Sequence, residues 1–199
     1  MSDLAPALEG VAGVVLTGGA SRRMGRDKAL LQVDGVPMAI RVGTAMVAAG
    51  ADPVVALGGD GDGLRAVGLQ VVGDRWPGEG PLGAVVTACD WSPHDLALVA
   101  ACDLPWLDAS VLTGLLDRLV ASGADVALAR TDRREPLCGA WHTRRCRDRL
   151  AAAFDAGERA VHLAVEQLVL EEVEVAPSAL RNVNTPDDLD THAPARPAE

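Results

Sequence analysis

With 199 residues and 49% hydrophobic content, the chain is long enough to bury one sizeable core, and a single domain is the expectation. Its 28 acidic residues against 18 basic ones give a formal charge of −10, which argues against a broad nonspecific nucleic-acid footprint but leaves room for a small basic pocket. Only 3% of residues are aromatic, with Phe154 the one phenylalanine and no tyrosine, which speaks against a base-stacking platform for single strands.

The start, MSDLAPALEG, lacks the basic head and apolar core of a signal peptide, and no apolar run reaches membrane-spanning length. The expectation is a cytoplasmic protein without membrane contact. Cys89, Cys102, Cys138 and Cys146 form no close Cys-x-x-Cys pair and read as small core hydrophobes rather than staples or zinc ligands.

In chain order, Val11 to Leu16 is an apolar run of the kind that forms a buried parallel strand. It runs straight into Thr17, Gly18, Gly19, Ala20 and Ser21, then into Arg22, Arg23, Arg26 and Lys28. Paired glycines let the backbone bend sharply and let a ligand approach, and the exposed N–H groups of such a turn can cradle phosphate. In an acidic protein, the basic residues beyond would repel one another without an anion. The spacing is neither Gly-x-Gly-x-x-Gly nor a P-loop.

Asp34-Gly35 predicts a turn, and Pro37 opens a helix over Met38 to Ala49 that Gly50 closes. Val54 to Leu57 predicts a second strand, followed by a glycine-rich stretch, residues 58–63, read as a loop. Leu69 to Val72 is a short third strand ending at Gly73-Asp74, and residues 75–83 should loop over the sheet edge before a helix starting at Gly83. Leu98 to Cys102 is a fourth strand that stops at Asp103. Asp108 caps a helix through Leu119, with Leu112, Leu115, Leu116 and Leu119 on one face. Val126 to Ala129 is a fifth strand, Arg130 to Glu135 a charged loop, Pro136 to Trp141 a further strand and Arg144 to Phe154 a helix. His162 to Leu170 predicts a shorter helix, and Glu171 to Val175 a half-exposed edge strand. Thr185 can cap a turn that Pro186 starts. Residues 1–190 read as one domain and 191–199, rich in Pro and Ala, as a disordered tail.

Strands alternating with helices give a three-layer α/β/α fold with a mostly parallel sheet. Three features then fall at strand carboxyl ends, where such sheets bind ligands: the turn at Gly18, Asp74 and Asp103. A carboxylate just past an apolar strand suits Mg²⁺, a base N–H or a helix N-terminus. No nucleophilic triad is evident, and His94, His142, His162 and His192 are scattered.

Gly18, Gly19, Ser21, Arg23, Met24, Gly25, Asp27 and Lys28 spell GG-x-S-x-RMG-x-DK, which resembles the signature of sugar-1-phosphate-type nucleotidyltransferases. Within that superfamily the stretch from residue 11 to about 190 resembles the molybdenum cofactor guanylyltransferases. Ala101 to Leu107 resembles their CD-x-P-aromatic segment, Gly80 to Gly83 their GPL turn, Pro136 to Trp141 their QPL stretch with Glu135 where glutamine is usual, and Asn182 and Asn184 their N-x-NTP pair. The resemblance implies a Rossmann-like nucleotidyltransferase domain that transfers GMP from GTP to the phosphate of molybdopterin or molybdenum cofactor and releases pyrophosphate.

It implies Asp103 as the Mg²⁺ ligand, and Lys28 and Arg23 as catalytic phosphate contacts. Gly18 and Gly19 would place backbone against the nucleotide, with Leu16 at its base or ribose and Asp74 at the base. Asn182 and Asn184 would bond a ribose or the acceptor's phosphate, with molybdoenzymes or cofactor-delivery proteins as partners. Trp141 is either a stacking surface for the pterin or a core residue. The family's asparagine at the end of the second strand falls on Gly58, which offers no side chain. Transfer of CMP, another phosphorylated acceptor, or a silent nucleotide-binding protein are the alternatives.

Overall fold

The computed structural model describes residues 10–18, 27–184 and 188. Its centre is a seven-stranded sheet in the order β5-β4-β1-β6-β8-β7-β9. The strands are β1 (Val11–Leu16), β4 (Val54–Leu57), β5 (Gln70–Val72), β6 (Leu96–Ala101), β7 (Val126–Arg130), β8 (Arg134–His142) and β9 (Leu170–Glu174). All neighbours pair in parallel except β8, which runs antiparallel to both β6 and β7. β1 lies between β4 and β6 with all six residues buried, as its unbroken apolar run requires.

The helices are α1 (Met38–Ala48), α2 (Gly61–Ala66), α3 (Pro81–Trp91), α4 (Ala109–Ser122), α5 (Thr143–Asp155) and α6 (Val161–Ala164). They divide between two cores. One joins Val15, Leu98 and Ala100 to Val42 and Met46 of α1 and Leu112, Leu115, Leu116 and Leu119 of α4. The other joins Val14, Leu16 and Val99 to Val85 and Val86 of α3, Leu150 and Phe154 of α5 and Val161 of α6. Sheet residues alternate between the two, so the molecule is the expected α/β/α sandwich.

Local chemistry sets the ends of the elements. Asp108 caps α4 by accepting from Ser110 N–H at 2.8 Å and Val111 N–H at 3.1 Å, and Gly123 closes it in the left-handed region. α3 starts two residues earlier than predicted, with Pro81 in its first turn. Asp34 and Gly35, both at positive φ, turn the small antiparallel hairpin of β2 (Gln32–Val33) and β3 (Val36–Pro37).

Three expectations need correction. The glycine-rich stretch after β4 is only partly loop, because α2 forms there. Asp60 caps it through Gly63 N–H, Leu64 is fully buried, and a Cβ on Gly63 would come within 2.6 Å of Leu30 Cδ1, so close packing overrides weak helix propensity. The charged loop shrinks to residues 131–133, because Arg134 is held on β8 by Glu172 at 2.7 Å and Glu166 at 2.6 Å. The helix placed over 162–170 is α6 followed by a 3₁₀ turn at Val165–Gln167, and Leu170 already belongs to β9. Of the two readings of Trp141 the core one holds, because the residue is fully buried in the second core. The four thiols are free and buried, and burial pushes Cys89 and Cys102 up to about 12, which leaves them inert.

Candidate functional site

The carboxyl end of β1 is laced to that of β4. Thr17 N–H and Gly18 N–H both donate to the Leu57 carbonyl, at 3.0 and 3.2 Å, and the Thr17 hydroxyl bridges to the Gly58 carbonyl at 2.9 Å. Gly58 has φ +79°, and a Cβ there would lie 3.1 Å from Gly18 Cα. Glycine suits that left-handed φ and close approach, and a side chain at position 58 would press the two strand ends apart by a few tenths of an ångström. Asp27 adds a second tie. One oxygen accepts from Ala29 N–H at 2.9 Å and the other from Asp60 N–H at 2.5 Å, which fixes the start of the segment that carries Lys28.

Asp74 follows β5. One of its oxygens accepts from Trp76 N–H at 3.0 Å and the Thr87 hydroxyl at 3.3 Å; the other faces Gly18, 3.9 Å from where a Cβ would stand. Leu16 buries its side chain, and its carbonyl accepts from Cys102 N–H at 3.1 Å. The Gly80-Pro81-Leu82 turn is held from α5's far end: Leu82 N–H donates to the Arg159 carbonyl at 3.1 Å, and Gly80, at φ +95°, packs where a Cβ would meet Arg159 Cβ at 3.1 Å.

Lys28 gathers the other candidates. Its Nζ donates to Asp103 Oδ2 and to Asn184 Oδ1, both at 2.8 Å, so residues 75 and 156 positions away in sequence meet at one cation. The segment bearing Asn184 is pinned beside the end of β6 by Val183 N–H, which donates to the Asp103 carbonyl at 3.0 Å. Asp188 accepts from Asn184 N–H at 2.7 Å, and Arg181 stacks on Trp106 with its guanidinium carbon 4.9 Å from the ring centroid. Asn182 lies in the same segment with its side-chain oxygen out of solvent and without a hydrogen-bond partner among the described residues. A buried polar atom without a partner is costly.

Lys28, Asp103 and Asn184 are thus brought into direct contact, and Gly18 and Asp74 share the neighbouring stretch of the same rim. Gly19, Arg23, the rest of the basic turn, Thr185 to Asp187 and the 191–199 tail lie outside the described residues. A cavity of about 570 Å³ between the start of α4 and the end of β9 shares no lining residue with this cluster.

Glu135 has no role assigned by the sequence motifs. It lies at the start of β8, where burial and then the charge of Asp103 push its carboxyl above the ordinary range, while a hydrogen bond from Leu137 N–H opposes them. The signal that could have found it is its place in the motif stretch, a charged residue where a neutral one is usual.

The MobA-like NTP transferase domain matches residues 13–171. A Mycobacterium tuberculosis protein named "Probable molybdenum cofactor guanylyltransferase" is 34% identical over 202 residues, covering 99% of each chain. A Rhodobacter capsulatus molybdenum cofactor guanylyltransferase is 33% identical over 186 residues, covering 90% of this chain and 93% of its own. Among solved structures, a molybdopterin-guanine dinucleotide biosynthesis protein A from Archaeoglobus fulgidus superposes with a TM-score of 0.74 at 23% identity over 90% of this chain and 95% of that one, which shows the shared fold. Matched along most of its length by the family and along nearly all of it by these relatives, the chain belongs to the MobA-like NTP transferases.

Proposed function

We propose that this nucleotidyltransferase moves GMP from GTP to the terminal phosphate of molybdopterin and releases pyrophosphate. The observation that carries the reading is the meeting of Lys28, Asp103 and Asn184 at one point on the rim, beside the glycine-lined end of β1. The names of the full-length relatives supply the choice of guanine and of the acceptor.

In this reading Gly18 and Gly19 lie against the nucleotide with Leu16 at its base or ribose, Asp74 accepts from the base edge, and Arg23 and Lys28 hold the triphosphate. An oxygen of the acceptor phosphate bonds to the α-phosphorus of GTP, and the bond to the β-phosphate oxygen breaks, so pyrophosphate leaves with the electron pair. A phosphate monoester has its second pKa at about 6, so the nucleophile is already ionised and needs no protein base. Catalysis is then positioning and neutralisation of charge. Lys28, a mobile point charge, leaves Asp103 for the phosphates as they arrive. Asn182 and Asn184 orient the acceptor phosphate without repelling it.

Mg²⁺ fits the cluster. Asp103 Oδ2 and Asn184 Oδ1 both lie 2.8 Å from the same cationic nitrogen, so two hard oxygens already converge on one positive charge. No group of three or more His, Cys, Asp or Glu among the described residues could hold a metal by itself, which suits an ion that takes one or two protein oxygens and the rest from phosphate and water. Asp103 would hold it, and it would offset the charge of the triphosphate. No described helix is long and apolar enough to cross a membrane.

The test is pyrophosphate release from GTP, CTP, ATP or UTP with molybdopterin and Mg²⁺. Turnover with GTP far above the others supports the reading. CTP in first place would favour the cytidylyl alternative, for which Gly58, with no side chain at the base end of β4, is the supporting observation. Absence of turnover with every nucleotide would overturn both.

A further inference from the structure

The strand order divides the rim into two parts. Asp74, Gly58 and Gly18 follow β5, β4 and β1 in that order, and Asp103 follows β6. β8 comes next and runs the other way, so its first residues, not its last, stand on this rim. With the nucleotide over the β5-β4-β1 part and the phosphates meeting at Lys28 and Asp103, the body of the acceptor has the β8 part left to lie on.

Glu135 is the carboxylate of that part. The β6–β8 pairing ends with Ala100 opposite Cys138, and continuing that register past the end of β6 brings Asp103 alongside Glu135 of β8. Cys138 and Ala140 pack into the core under α1 and α4, whereas Leu137 and Trp141 pack under α3 and α5, so alternation puts Glu135 on the Leu137 side. The residue is half-buried, and its carboxyl accepts from Leu137 N–H. It forms no ion pair among the described residues, although Arg133 is near enough to be felt.

A half-buried carboxylate next to another carboxylate cannot hold a phosphate. Only cations or N–H donors suit it, and one donor from Leu137 leaves most of its acceptor capacity free. Resting on the reading of molybdopterin as acceptor, we propose that Glu135 binds the donor edge of the acceptor's heterocycle, the ring N–H and adjacent amino group of a pterin. Two neighbouring N–H groups match the two oxygens of a carboxylate. Glu135 thereby selects an acceptor by its ring while Asn182 and Asn184 hold its phosphate.

The test is steady-state pyrophosphate release at saturating GTP and varied molybdopterin for the wild type, Glu135→Ala and the near-isosteric Glu135→Gln, with GTP affinity, Mg²⁺ dependence and melting temperature measured alongside. The expected result for Glu135→Ala is a KM for molybdopterin raised by about tenfold or more, with kcat and GTP affinity little changed, since losing a charge-assisted bond to a substrate donor weakens its binding by about that much. Glu135→Gln, which keeps one oxygen and adds a donor, should fall between. An unchanged KM for molybdopterin in both variants overturns the proposal. So does a raised Mg²⁺ requirement, which would make Glu135 a metal ligand, or a lowered GTP affinity. A loss confined to melting temperature would make its role structural. A wild type that turns over no molybdopterin removes the acceptor reading itself, and this inference with it.

Discussion

Two carboxylates sit at opposite rims of the same sheet, each facing one cation. Asp125, just before β7, is knitted in: its Oδ2 accepts from Arg149 Nη1 and from Val169 N–H, both at 3.0 Å, and its main chain bonds to Val169, His142 and the Cys146 thiol. Asp103, just past β6, has only Lys28 bonded to its carboxylate among the described residues. The side chain of Asp125 is 10% exposed and that of Asp103 22%. The pairs look alike as ion pairs, but one is closed by backbone and the other is made by a lysine alone among the described residues. In the proposed reading, spare coordination more than burial or charge separates Asp103, available for chemistry, from Asp125, which stabilises the fold.

The sharpest way to break that contrast is to remove each carboxylate. D103A should lower kcat by about 10²–10³, the scale for losing one group that stabilises developing charge, with melting temperature nearly unchanged. Pyrophosphate-release kinetics at saturating Mg²⁺ and calorimetry would check both halves, and full turnover in D103A would end its assignment. N184A should cost about 1.5–3 kcal/mol, ten- to a hundredfold in acceptor-dependent turnover, as a lost bond to a charged group does.

N182A sharpens the same comparison from the other side. Its oxygen has no partner among the described residues, so truncation should leave the melting temperature unchanged or slightly raised while acceptor-dependent turnover falls about tenfold. A clear loss of stability would make Asn182 a structural residue. D125A should do the reverse of D103A. It strands Val169 N–H and Arg149 at a cost of about 1–3 kcal/mol, read as a lower denaturation midpoint with kcat intact.

The smallest expected effect is on pH. Burial, and then the charge of Arg145, hold His142 below the ordinary histidine range against the opposing pull of Asp125 and Asp95. The unfolded chain therefore binds a proton at this residue before the folded one does. Stability falls as pH drops below the unperturbed histidine pKa of about 6.5 and levels off once the folded residue is also protonated. H142Q should flatten that part of the melting-temperature profile, and an identical slope in wild type and variant would exclude His142 as its source.

Much of this was legible in the chain. β1 is a continuous apolar run because both its faces are covered, and the α4 cap and leucine stripe follow from local hydrogen bonding and the helical period. The glycine and basic turn carries the family motif in sequence, but residues 19–26 lie outside the described residues, so its phosphate reading stays part of the proposal. What depends on contacts between distant segments was not legible. α2 forms against propensity because Leu64 finds a core, and Arg134 sits in a strand because Glu166 and Glu172 meet it there.

The chain by itself determined most of the elements and the mostly parallel sheet, because periodicity and side-chain chemistry are local properties. Only the tertiary structure decided that Lys28 meets Asp103 and Asn184. It also decided that Gly58 packs closely beside Gly18, that Trp141 is core, and that the reversed β8 brings Glu135 to the same rim. Strand order and direction follow from how the whole sheet closes over two cores, and no single stretch of sequence carries that information.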